Sequence, residues 1–172
     1  MSSYLIVTTF NQQGYDLYGK TMLDSFIAHW PKDQRILVYT EGVNLDPSHS
    51  KNSRIITKDL NTVRDLVLFK KRHENDPKAH GFWPEGSTVK QFQFDAVRFS
   101  HKIFALYDCF VNPPAEHKSM LWLDADTLTF RDIPDNFLET VAPRAYMTRD
   151  GAKEKYGICY LGRLKQHSEC GF

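Results

Sequence analysis

Leu121-Trp122-Leu123-Asp124-Ala125-Asp126 sets an apolar run directly against two carboxylates. Taken from Ser119 through Leu123, the run reads as a strand inside a core. Ionised carboxylates are costly to bury without a partner, so Asp124 and Asp126 mark where the chain leaves that core. In open α/β sheets, the region just past the carboxyl ends of the strands is where ligands bind.

Upstream of this strand, Val89, Phe92, Ala96, Phe99, Ile103, Leu106 and Phe110 recur in steps of three and four. The spacing predicts one apolar stripe on a long helix, packed against the core and ended by Pro113-Pro114. Near the N-terminus, Tyr4 to Thr9 is a continuous apolar and β-branched run, the pattern of a strand buried on both faces. Asn11-Gln12-Gln13-Gly14 interrupts it. Tyr15 to Trp30 then reads as a helix, with Met22, Leu23, Phe26, Ile27 and Trp30 near helical spacing and Pro31 as the stop. Arg35 to Thr40 predicts a second strand and Arg54 to Thr57 a weaker third. Asn61 to Arg72 predicts a helix ending in Lys70-Lys71-Arg72-His73, cations that suit a helix C-terminus. His80 to Gly86 is a loop. Beyond the carboxylates, Ile133-Pro134 opens another connection and Ala145 to Thr148 suggests a further strand. This alternation predicts an α/β fold: a Rossmann-like, mostly parallel sheet flanked by helices.

The chain of 172 residues is long enough for one domain with a substantial core. Twenty-two basic residues face 21 acidic ones, a net charge of +1. That balance offers no broad basic field and argues against a nucleic-acid partner. Cys109, Cys159 and Cys170 have neither zinc-ribbon nor redox-pair spacing and read as free thiols of a reducing compartment, with a Cys159–Cys170 disulfide as the alternative. The N-terminal apolar run lacks a positive flank and is too short for a signal peptide or a membrane span. The expectation is a cytoplasmic protein with no integral membrane segment. The last residues, Glu169-Cys170-Gly171-Phe172, read as the approach to another strand, which predicts a missing C-terminal segment.

The chemistry centres on the paired acids. Two aspartates one residue apart can turn toward one hard cation where a strand bends, and Mg²⁺ or Mn²⁺ takes such oxygen donors while keeping positions open for phosphate. The alternative is a plain turn whose aspartates bond the nearby backbone. Asp95, Arg98 and Lys102 stand at helical spacings of three and four and share a face. They read either as a solvated ion-pair ladder, worth about 0.3–0.5 kcal/mol per pair, or as phosphate ligands, with Asp95 orienting Arg98. Glu169 is a candidate general base for an acceptor hydroxyl, against the simpler reading of a surface glutamate. Phe82 and Trp83 are either sugar-stacking rings or loop anchors.

On these residues the chain resembles glycosyltransferases of the A-type fold, with their Asp-x-Asp metal motif at Asp124 and Asp126. The opening Thr8-Thr9-Phe10-Asn11 and Gly14 to Gly19 is similar to the nucleotide-binding start of bacterial and phage-type members. Phe94 to Ala105 resembles the helix that precedes their metal motif. Tyr160 to Arg163 and Ser168 to Phe172 resemble the segment facing donor sugar and acceptor. The resemblance implies one nucleotide-sugar-binding domain over residues 1–172, a nucleoside diphosphate sugar as donor and a carbohydrate or glycan acceptor. Thr8, Thr9 and Phe10 would line the base and ribose pocket, and Asp124 and Asp126 would hold Mn²⁺ or Mg²⁺. Asp126 and Glu169 are the candidate catalytic residues. A departure is the later histidine ligand of many members, which His167 does not match in position.

Two further classes share some of these features. A haloacid dehalogenase-type phosphatase also carries Asp-x-Asp after a buried strand, but continues Gly-Thr where this chain has Thr127-Leu128, and places the motif on its first strand. A non-catalytic sugar-nucleotide-binding module would keep the pocket without turnover. A dinucleotide-dependent oxidoreductase is disfavoured, since no Gly-x-Gly-x-x-Gly follows the first strand.

Overall fold

The computed structural model describes residues 4–114, 117 and 119–138. Among these residues, four parallel strands form one sheet: β1 (Tyr4–Asn11), β2 (Arg35–Glu41), β3 (Ile55–Asp59) and β4 (Ser119–Trp122), in the order β3-β2-β1-β4. The chain is thus α/β. Ile6 lies opposite Ile36 on one side and Leu121 on the other. Central β1 and β2 are covered on both faces, which is why their sequences are continuous apolar runs rather than alternating ones.

Helix α1 follows β1 as one helical run: Gln12–Gly14, a π-helical turn Tyr15–Gly19, and Lys20–His29. Asn11 caps its start, its Oδ1 accepting from Gly14 N at 2.8 Å. Met22, Leu23, Phe26 and Trp30 bury against Ile6, Phe10, Ile36 and Val38, each worth about 1.5–3 kcal/mol of transfer from water. Gly19 lets α1 lie close on β1, because a side chain there would begin 3.0 Å from Phe10 Cδ1. At the far end Arg54 clasps α1: its guanidinium donates to the carbonyls of Ile27, Trp30 and Gln34, each at 3.1 Å, and stands 4.6 Å from the Phe26 ring centroid. The one-turn helix α2 (Pro47–Ser50) is tied on by His49. The Tyr15 hydroxyl accepts from Asp46 N at 3.0 Å and donates to His49 Nδ1 at 2.7 Å, so His49 Nε2 donates to Asp24 Oδ1 at 2.9 Å.

The opposite face carries α3 (Arg64–Arg72) and α4 (Ala96–Val111) over Leu5, Val7, Leu37 and Tyr39. Here the structure corrects the expected stripe. Helix α4 starts at Ala96, after the short 3₁₀ turn Phe92–Phe94, because Asp95 caps it by accepting from Arg98 N at 2.9 Å. Its buried positions are Val97, Ser100, Ala105, Asp108 and Cys109, while Val89, Phe92, Phe99, Ile103 and Phe110 are exposed. Ala105 and Cys109 meet the sheet directly, with Phe104 and Leu106 packed beside them. Cys109 is a free thiol, fully buried, and burial pushes it up to about 11, as suits an unreactive core thiol. Cys159, Cys170, His167 and the proposed strand at Ala145 to Thr148 lie outside the described residues. Among the described residues, no helix is long and apolar enough to cross a membrane.

One polar group fixes α4 to the sheet. Asp108 Oδ2 accepts from the Tyr39 hydroxyl at 2.6 Å and Lys58 Nζ at 2.5 Å, and Oδ1 accepts from Asn112 Nδ2 at 3.2 Å. Burial works to raise the Asp108 carboxyl, but the bonds from Lys58, Tyr39 and Asn112 outweigh it and hold it below the ordinary 3.8. A depressed carboxyl contributes stability that is present above its unfolded value and lost as pH falls through the folded one. Asp108→Asn is therefore expected to cost about 2–3 kcal/mol at pH 7, below the full buried-pair figure because Lys58 is one-third exposed. Urea unfolding should find that gap to wild type narrowing below about pH 4; a gap independent of pH would exclude the ionic contribution.

Candidate functional site

The sheet order creates the site. From β1 the chain steps to β2 and β3 on one side and returns to place β4 on the other. The helices after β1 and before β4 cover opposite faces. The carboxyl ends of β1 and β4 therefore flank a topological switch point, where open α/β sheets form a ligand crevice. Leu123 N still donates to Val7 O at 3.0 Å, and the chain then turns, Thr127 N donating to Asp124 O at 3.0 Å. Asp124 and Asp126 thus sit on one turn beyond the strand. The turn closes backbone to backbone, so the aspartate side chains are not needed to form it.

Asp124 meets two partners. Trp122 Nε1 donates to Asp124 Oδ1. Lys102 Nζ, reaching across from α4, lies 3.6 Å from the same oxygen and 4.8 Å from the Trp122 ring centroid. Residues two apart in an extended segment share a face, which brings the indole beside the carboxylate. Asp124 is half-buried and Asp126 exposed.

Other candidates are placed differently. The Arg98 guanidinium lies over the Phe92 ring, 4.6 Å from its centroid. Asp95 does not orient it: that carboxylate caps α4 and pairs with Lys90 at 2.7 Å. Burial works to raise its carboxyl, but the bonds from Lys90 and Arg98 N outweigh it and keep it below the usual range. At the end of β1, Thr9 Oγ1 donates to Tyr39 O at 2.9 Å. Thr8 is fully buried, and its Oγ1 has no hydrogen-bond partner among the described residues. Phe10 packs inside the core, its ring 5.5 Å from that of Tyr15. Both side chains are buried and offer almost no surface to a ligand, so the expected base and ribose contacts of Thr8 and Phe10 are not open in this structure. Glu169 lies outside the described residues.

Two residues escaped the sequence reading. Trp122 counted only as strand apolarity, although its position two before Asp124 was a usable signal. His101, between the charged positions of α4, faces inward with Nε2 buried and without a partner among the described residues. Burial holds its imidazole below the ordinary histidine value.

Among the described residues, no group of three or more histidine, cysteine or acidic side chains is arranged to hold a metal ion. No protein family matches the chain, and no curated protein matches it in sequence.

Proposed function

We propose that this chain is a glycosyltransferase of the A-type fold. In this reading it binds a nucleoside diphosphate sugar in the switch-point crevice and moves the sugar to an acceptor hydroxyl with Mn²⁺ or Mg²⁺. The observation that carries the reading is the meeting of Lys102 with Asp124 just past the carboxyl end of β4, beside β1. A cation and a carboxylate side by side in such a crevice suit a ligand that is itself an anion bound with a divalent ion.

Carboxylate oxygens are the donors such ions prefer. Asp124 and Asp126 supply hard oxygens from one turn, and such ions are commonly held by one or two carboxylates with substrate phosphates completing the shell. When bound, the ion neutralises the diphosphate and improves it as a leaving group. Lys102 serves the developing charge on the departing diphosphate as a point charge. Arg98 stands one turn earlier on α4, and leaving the Phe92 ring would let its forked donors serve the same group. Trp122 keeps Asp124 in one orientation. Glu169 is the proposed base for the acceptor.

A thermal-shift screen of nucleoside diphosphate sugars, run with Mn²⁺ and again with EDTA, tests the reading. The matching donor at about 100 times its Kd should raise the midpoint by about 5–10 °C, and only with the ion. No shift with any donor, or an equal shift in EDTA, would sink it. Binding without turnover on any acceptor would favour a carbohydrate-nucleotide module. Release of phosphate from a generic ester, abolished in Asp124→Asn, would favour the phosphatase.

A further inference from the structure

Lys102 and Trp122 engage the very oxygen of Asp124 that the ion is proposed to need. The indole Nε1 donates to Oδ1, and the ammonium stands 3.6 Å from Oδ1 and 4.8 Å from the centre of the indole ring. Lys102 is about one-quarter exposed at its side chain and Asp124 somewhat more, so the pair is neither sealed in the core nor fully solvated. An ammonium and a divalent ion cannot both lie against one carboxylate oxygen without repelling each other.

We propose that Lys102 is an exchangeable counter-ion. In the ligand-free chain it neutralises Asp124. When a diphosphate arrives with a divalent ion, the ammonium transfers from the carboxylate to a phosphate oxygen, and Asp124 passes to the ion. The Trp122 ring gives the ammonium a cation–π contact that does not depend on the carboxylate, so the lysine stays within reach during the exchange. The inference rests on the ion-binding reading above and adds an order of events to it. The divalent ion alone meets a competitor on Asp124, whereas the ion together with a diphosphate meets none. Ion and diphosphate must then strengthen each other's binding by the same factor, because coupling between two ligands is reciprocal.

The experiment is titration calorimetry of the full chain with MnCl₂, alone and in the presence of inorganic pyrophosphate, which needs no knowledge of the base or sugar. Lys102→Met keeps the apolar stem and removes the charge. It should bind Mn²⁺ alone about fivefold more tightly than wild type, the scale of a partly screened ion pair. The extra tightening produced by pyrophosphate should shrink, since the lysine is no longer there to receive it. Lys102→Gln should behave as the methionine variant does, which covers the case of a methionine variant that fails to fold. Lys102→Arg retains the charge and should resemble wild type toward Mn²⁺ alone. If wild type binds Mn²⁺ and neither uncharged variant binds it more tightly, the exchange is overturned while the ion site stands. If no variant and not the wild type binds Mn²⁺, with or without pyrophosphate, the ion-binding reading fails and the exchange fails with it.

Discussion

Asp126→Ala is expected to abolish ion-dependent binding of the donor, weakening it by about 100-fold or more. Loss of a group that merely supports a metal ligand costs about 10–100-fold, and Asp126 is proposed as a ligand itself. The same change should leave the fold nearly untouched. Asp126 is exposed, and the turn that carries it closes through the Thr127 N to Asp124 O bond, which alanine retains. Surface changes of this kind usually stay within about 0.5 kcal/mol. Calorimetry with Mn²⁺ and the nucleoside diphosphate, beside urea unfolding of the same sample, measures both. Unaltered affinity in the alanine variant would remove Asp126 from the site.

Phe26→Ala should give the largest loss of stability, about 3–5 kcal/mol. That is a large fraction of the total for a typical domain. The ring is fully buried and sits 5.8 Å from that of Trp30. It is also the surface on which the Arg54 guanidinium rests while donating to the carbonyls that end α1. Alanine would leave a cavity and loosen that clasp, and water entering there would compete for the freed donors. Phe26→Leu keeps most of the volume and should lose much less. Chemical denaturation of both variants decides it. A deficit under about 1 kcal/mol for alanine would mean that the core closes over the gap.

The central strands were readable because burial on both faces demands a continuous apolar run, and Tyr4 to Thr9 and Ile36 to Thr40 supply one. Helix α1 was readable from its spacing and from Pro31. Helix α4 was located, but its buried side was not. Periodicity reports that large apolar residues align, not what they face, and the positions that meet the sheet include the unobtrusive Ser100, Ala105 and Cys109. The charge and spacing of Asp95 suggest a partner for the Arg98 side chain, whereas it serves the Arg98 backbone. In the site, Asp124 and Lys102 stood out as charges in a suggestive order. Trp122 did not: its place two before Asp124 foretells the indole beside the carboxylate, but the Lys102 ammonium over its ring depends on how closely α4 approaches β4, a tertiary quantity that local pattern does not carry.

The π-helical turn in α1 has a consequence for what this helix tolerates. Lys20 N donates to Tyr15 O, closing a loop one residue longer than an ordinary helical turn. The residues before and after it are therefore out of phase by one position, roughly 100° of rotation about the axis. That offset lets Asn11 and Tyr15 serve the start of the helix and His49 while Met22, Leu23 and Phe26 point into the sheet. Deleting a single residue between 15 and 19 would make the helix more regular and the protein worse, since a helix in one phase cannot satisfy both ends.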